Sequence, residues 1–248
     1  MRKSVFFFLL VFAACDSTQV EAPPPLPAPP ADSRPSITLA SPDVIRENPI
    51  RFGGTARTFE NNVVVRVRDT DGNLMIERAV TATGETGTLN PWSAELYITR
   101  DPGDRVTLEA LEYSAKDGSE RSVARAAVRF EVPIVELTVF AHDPERAPTD
   151  CSRVFPLIRR VPKATAVARL LVEVLLSTDL FPRGAQANSV NLRDGVLTVD
   201  FNERVQNVGG ACRAQAIRAS LERTLRTLPA VKQVAITANG DRELALQP

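Results

Sequence analysis

The one histidine of this chain, His142, is the first place to look for chemistry. A Ser-His-Asp triad would have to use it, since no second imidazole is present to act as base. It follows an alternating apolar run and stands beside Asp143-Pro144, which reads as a solvated loop start. There is no Gly-rich loop of the P-loop form and no paired-histidine motif. Carboxylates are plentiful, so an acid pair of the glycosidase kind is compatible with the composition. Asp200 is the best-placed acid, on a strand among apolar residues; the plainer reading is a structural ion pair with Arg159. Gly209-Gly210 precedes a helix whose N-terminus can hold an anion; close packing where that helix begins is the plainer reading. Asp69-Thr70-Asp71-Gly72-Asn73 invites a calcium reading, but the EF-hand spacing asks for Gly sixth and an acid twelfth. Counted from Asp69 those places hold Leu74 and Val80, so a hairpin turn is expected. No catalytic residue, metal site, cofactor or small-molecule substrate is assigned.

These residues need elements to hold them. Residues 194–229 read as turn, strand and helix. Asp194-Gly195 is a hairpin-turn dipeptide. Leu197, Val199 and Phe201 alternate with Val196, Thr198 and Asp200, giving a strand with one wholly apolar face. From Ala211 the apolar residues Ile217, Leu221, Leu225 and Leu228 form a helical stripe that Pro229 stops. Cys212 lies in the first turn. Upstream, residues 135–141 alternate as a strand and 154–161 form a second extended run. Thr165 is the expected N-cap of a helix whose apolar face is Val167, Leu170, Leu171, Val174 and Leu175. Residues 189–192 pair back on 197–201, and 231–237 form a last strand. This is an α+β layer arrangement, a small sheet with two helices on one face, over residues 133–248.

Residues 36–132 read as strand throughout. The runs are 36–39, 50–56, 63–68, 74–80, 94–98, 106–113 and 124–132, with turn signals between them. Seven short strands in this length suggest an all-β immunoglobulin-like sandwich. Trp92 is expected in its core or at its edge. Phe59-Glu60 is a half-exposed loop pair, either a contact or a strand-crossing plug.

Residues 1–15 read as a processing segment. Arg2 and Lys3 precede an apolar run that is too short to span a bilayer, which takes about 20 residues. Ala13-Ala14-Cys15 then resembles a bacterial lipobox, in which Cys15 becomes the lipidated first residue; an ordinary secretory signal is the alternative. Residues 16–35 form a Pro-rich linker of polyproline II type, read as a spacer. Outside the cytoplasm, Cys151 and Cys212 form an even pair for a disulfide; a metal pair or a reactive thiol is the alternative. Lys plus Arg and Asp plus Glu each total 30, so the basic excess of a nucleic-acid binder is missing.

A family resemblance rests on particular residues. Gly54-Thr55-Ala56-Arg57-Thr58-Phe59-Glu60-Asn61-Asn62-Val63, with Asp71-Gly72 and the later Asp117-Gly118, resembles the immunoglobulin-like domain of bacterial spore germination. Cys151, Arg159-Arg160-Val161-Pro162, Val199-Asp200-Phe201 and Gly209-Gly210-Ala211-Cys212-Arg213 resemble a GerMN domain of the sporulation and spore germination type. The resemblance implies an extracytoplasmic interaction domain linked to envelope assembly. The expected function is a lipid-anchored, non-catalytic adaptor that is held on the bacterial membrane and binds envelope proteins. A peptidoglycan-binding module is the alternative, and a wall hydrolase ranks third.

Overall fold

The computed structural model of the chain describes residues 36–247. The processing segment, Cys15 and the linker lie outside them. In the first half the strands are β1 (Ser36–Ile37), β2 (Val44–Ile45), β3 (Ile50–Arg57), β4 (Asn62–Arg68), β5 (Leu74–Thr81), β6 (Asn90–Leu96), β7 (Arg105–Tyr113) and β8 (Glu120–Phe130). All seven expected runs are present; β2 is an additional short strand. They form two sheets, β1-β3-β6 and β2-β8-β7-β4-β5. The alternation in sequence explains the sandwich. Val63, Val65 and Val67 of β4 point inward and are fully buried, as are Val106, Leu108 and Ala110 of β7. Trp92 is buried in the same core, edge-on to Phe52 at 6.0 Å between ring centroids.

The other face of the five-stranded sheet carries a row of charge. Register places Glu77 of β5 opposite Arg66 of β4, Arg66 opposite Glu109 of β7, and Glu109 opposite Arg125 of β8. Signs therefore alternate straight across four strands. Arg66 Nε meets Glu77 at 2.6 Å, its Nη1 meets Glu120 at 2.7 Å, and Arg125 Nε meets Glu109 at 2.7 Å. Arg66 also donates to the Tyr113 hydroxyl. The long side chains cover one another, so Arg66 and Glu109 are buried although they lie on the outer face.

The second half contains β9 (Ile134–His142), β10 (Val154–Pro162), α1 (Val167–Leu176), β11 (Ala187–Arg193), β12 (Val196–Phe201), α2 (Ala211–Leu225) and β13 (Gln233–Ala238). The α+β class holds, with the strands divided between two ladders. β10, expected only as an extended run, pairs with β9 along its whole length, from Val154 against His142 to Pro162 against Ile134. The order of the other ladder is β11-β12-β13. β11 and β12 form the expected hairpin, with Asp194 and Gly195 at φ 53° and 82°. β12 and β13 run parallel, so their connection must cross over, and α2 is that crossover.

Leu197, Val199 and Phe201 of β12 are buried against Leu170 and Leu175 of α1 and Ile217, Leu221 and Leu225 of α2. Each such side chain contributes about 1.5–3 kcal/mol of hydrophobic stabilisation. Two details depart from expectation. Thr165 does not cap α1: the cap position is Ala166, which makes no side-chain bond, and Thr165 contributes only its carbonyl, to the Val167 N–H. Leu228 lies beyond the end of α2, in the turn that closes on Leu225 O. Thr224 compensates for its polarity at the core face by accepting the Phe140 N–H at 2.8 Å, which fastens α2 to β9.

The two halves have separate hydrophobic cores, yet the described residues form one compact unit. Asn48 is the joint. It is buried; its Oδ1 accepts the Ile98 N–H at 2.9 Å, and its Nδ2 donates to Pro162 O on β10 at 3.0 Å. Around it, Glu173 of α1 meets Arg78 of β5 at 3.6 Å, and Arg160 of β10 meets Asp101 at 3.1 Å.

Candidate functional site

A groove of about 1020 Å³ opens beside that joint, with walls from both halves. Leu74 and Met75 at the start of β5, with Thr99 and Arg100, line one side. The other side comes from the end of β9, from β10, from the loop after α1 and from the first turn of α2.

The second of these walls is covalently tied. Cys151, in the loop between β9 and β10, is bonded to Cys212 in the first turn of α2, with Cα atoms 5.2 Å apart. This is the disulfide that the cysteine count pointed to. The β9–β10 loop is shaped locally by acid-backed turns: Asp143 accepts the N–H groups of Glu145 and Arg146, and Asp150 accepts from Ser152. Such side-chain bonds favour turns over continued strand.

The helix opposite begins at Gly209-Gly210. A Cβ on either glycine would meet nothing within 4 Å. Close packing is therefore not why they are glycines. The reason is conformation: φ is 75° at Gly209 and 124° at Gly210, and only glycine adopts the second without strain. Arg213, one turn into α2, donates from Nε to Leu180 O at 2.8 Å and holds the loop after α1 against the helix.

Four cationic or ionisable nitrogen groups face the groove: Arg100, Arg159, Arg213 and His142. Arg100 is engaged by Asp69 at 3.0 Å. His142 sits at the end of β9, with Nδ1 3.0 Å from Arg153 O. It belongs to the ladder rather than to a free loop. Arg159, on β10, carries no ion pair among the described residues, although its neighbour Arg160 does. Asp179 is the one carboxylate in the lining.

The expected Arg159–Asp200 pair does not form. Asp200 accepts from Thr237 Oγ1 at 2.6 Å, from the Gly240 N–H at 2.7 Å and from Asn188 Nδ2 at 3.0 Å. Burial pushes its pKa up, and these three donors more than reverse that, so the carboxyl is held below its ordinary value. Its position explains this role: it lies on the polar face of β12, between β11 and β13, and ties the strand to the turn that follows β13. Phe59 stands largely in solvent, while its N–H donates to Glu112 at 2.6 Å. The Asp69 turn closes on Asn73 and Asp71 N–H groups as a hairpin. Among the described residues, no cluster of three or more His, Cys, Asp or Glu has the arrangement to hold a metal ion.

The joint residues escaped sequence reasoning. Asn48 offered no signal, being one polar residue between turns. Glu173 did offer one: it is a lone acid inside the otherwise apolar run of α1, and such an acid needs a partner when buried. Arg169 supplies it at 2.7 Å.

An all-β immunoglobulin-like domain joined to an α+β domain is the class that this fold defines. Residues 40–119 match the family described as the immunoglobulin-like domain of bacterial spore germination, and residues 138–244 match the family described as sporulation and spore germination. The chain thus carries a spore-germination immunoglobulin-like domain followed by a GerMN domain. Among solved structures it is similar to the tandem GerMN domains of the sporulation protein GerM from Bacillus subtilis, at 22% identity and a TM-score of 0.34. That match covers 44% of this chain and 40% of the other, so the present chain spans less than half of the GerM structure. A candidate lipoprotein from Clostridium perfringens matches at 10% identity and a TM-score of 0.28, over 44% of this chain and 76% of that one. CopC from Methylosinus trichosporium OB3b matches at 12% identity and a TM-score of 0.25, over 39% and 91%. Superpositions this loose carry no functional conclusion. No curated protein matches the chain.

Proposed function

We propose that this chain is a non-catalytic interaction protein of the bacterial cell envelope, lipid-anchored through Cys15, with the groove between its domains as the contact surface for a protein partner. The observation that carries the reading is the construction of the groove. Both domains supply its walls, and a disulfide at Cys212 ties one of them. A disulfide persists in an oxidising compartment, which supports a site of action outside the cytoplasm. The residues that first suggested chemistry are used in other ways: Asp200 holds a turn and His142 closes a ladder.

Crosslinking in intact membranes followed by purification of the chain tests the reading. A small set of discrete envelope proteins is expected, and recovery of abundant bystanders alone would count against it. Sedimentation with purified peptidoglycan tests the rival: retention of the chain by the wall would move the function there. A chain carrying Cys15→Ala should leave the membrane fraction; if it stays, the lipid anchor is wrong.

A further inference from the structure

We infer that the groove binds an extended, acidic peptide segment of its partner, with a carboxylate of that segment seated on Arg159. The inference rests on the adaptor reading above and gives it a ligand chemistry.

The charge balance of the lining is the first support. Arg100, Arg159 and Arg213 face the groove against one acid, Asp179. Two of these arginines are already occupied. Arg100 bonds Asp69, and Arg213 bonds the Leu180 carbonyl. Arg159 is half-buried and meets no carboxylate among the described residues. A guanidinium presents a fixed fork of donors suited to a carboxylate. On the outer face of the five-stranded sheet the buried fork is filled: Arg66 bonds two glutamates and a tyrosine.

The second support is the wall chemistry. Leu74, Met75, Leu157 and Leu180 supply apolar surface on both sides of the arginine. Leu74 is 47% exposed, which leaves a large apolar side chain at the rim uncovered. Apolar walls around a cation suit a strand in which acidic and aliphatic side chains alternate to opposite faces. Among the described residues no Phe, Tyr or Trp lines the groove, so the broad stacking surface that a sugar ring would use is not built there. A peptide is therefore favoured over a wall glycan.

The test uses the full-length chain in mild detergent and two labelled, capped hexapeptides. One alternates leucine and aspartate; the other has asparagine in place of aspartate. Anisotropy should show the aspartate peptide binding at least about tenfold more tightly than the asparagine one, with affinity falling as salt rises. Arg159→Glu should weaken the aspartate peptide by about tenfold or more, since a like charge then faces it. Because Arg159 holds no ion pair among the described residues, the thermal melt of that variant should match the parent. Leu74→Glu, at an exposed position on the opposite wall, should weaken the same peptide independently.

Equal binding of the two peptides, or an unchanged affinity in both variants, overturns the inference. Retention on peptidoglycan that Arg159→Glu abolishes overturns it too, by assigning the groove to the wall. If crosslinking still yields the same discrete partners with Arg159→Glu, the groove assignment falls and the adaptor reading stands. If the parent chain yields none, the adaptor reading falls as well.

Discussion

Two arginine-bearing surfaces of this molecule invite comparison. On the outer face of the five-stranded sheet, Arg66 is enclosed by Glu77, Glu109, Glu120 and Tyr113. In the groove, Arg159 shares the lining with Leu74, Met75, Leu157 and Leu180 and meets no acid among the described residues. The first surface is closed around Arg66, because the strands beside it supply its acids. The second is open. Buried charge that is matched within the chain holds a fold in one register, whereas unmatched charge at a concave surface is left for something else to match. The neighbouring pair Arg159 and Arg160 shows the same contrast at one step of sequence: Arg160 clamps Asp101 across the joint, and Arg159 does not.

Substitutions can sharpen or break this contrast. The largest effect is expected at the disulfide beside the groove. Replacing both Cys151 and Cys212 by serine should cost about 4 kcal/mol in chemical denaturation, from the loop entropy returned to the unfolded chain. Arg66→Ala should cost about 3 kcal/mol, because it strands carboxylates that are partly or wholly buried. If Arg66→Ala were neutral, the charged row would be decoration and the comparison would fail. Asn48→Ala should cost about 2 kcal/mol, leaving the Ile98 N–H and Pro162 O without their partner. It should also alter protease sensitivity between the domains.

A smaller effect should appear with pH. Burial of Glu109 pushes its pKa up, and hydrogen bonds from Arg125 and Arg68 reverse this, holding the carboxyl below its ordinary value of 4.5. A depressed carboxyl favours the folded state most where the unfolded chain is also ionised. Its contribution is therefore full above pH 4.5 and is lost as pH falls through the lower folded value. Denaturation midpoints of the parent should drop in that window, and those of Glu109→Gln should drop less. Arg159→Ala should change stability by about 0.5 kcal/mol or less. A large loss there would mean that Arg159 belongs to the fold after all.

Much of the architecture was legible because it is written in local period. The seven strand runs, the apolar face of β12, the Asp194-Gly195 hairpin and the stripes of both helices follow from alternation, spacing and turn residues. Cys151 and Cys212, the even pair beyond Cys15, suggested their own bond. The failures are also specific. Asp200 was matched to Arg159 on charge alone, while its actual partners are a threonine hydroxyl, a backbone N–H and an asparagine amide from three separate elements. The Gly209-Gly210 pair suggests close packing in sequence, and open space surrounds both residues. Thr165 was one residue early as a cap. In each case the residue type was informative and its neighbour was not.

The amino-acid sequence by itself determined the class of each domain, their order and the even pair of cysteines, since these depend on residue type and on separations of a few positions. It could not determine the registers that set Glu77, Arg66, Glu109 and Arg125 in one row, the seat of Asn48 between the domains, or that Arg159 meets no acid among the described residues. Those outcomes depend on contacts between residues far apart in the chain. Which arginine finds an acid is settled only when the strands are in register and the two domains have closed on each other.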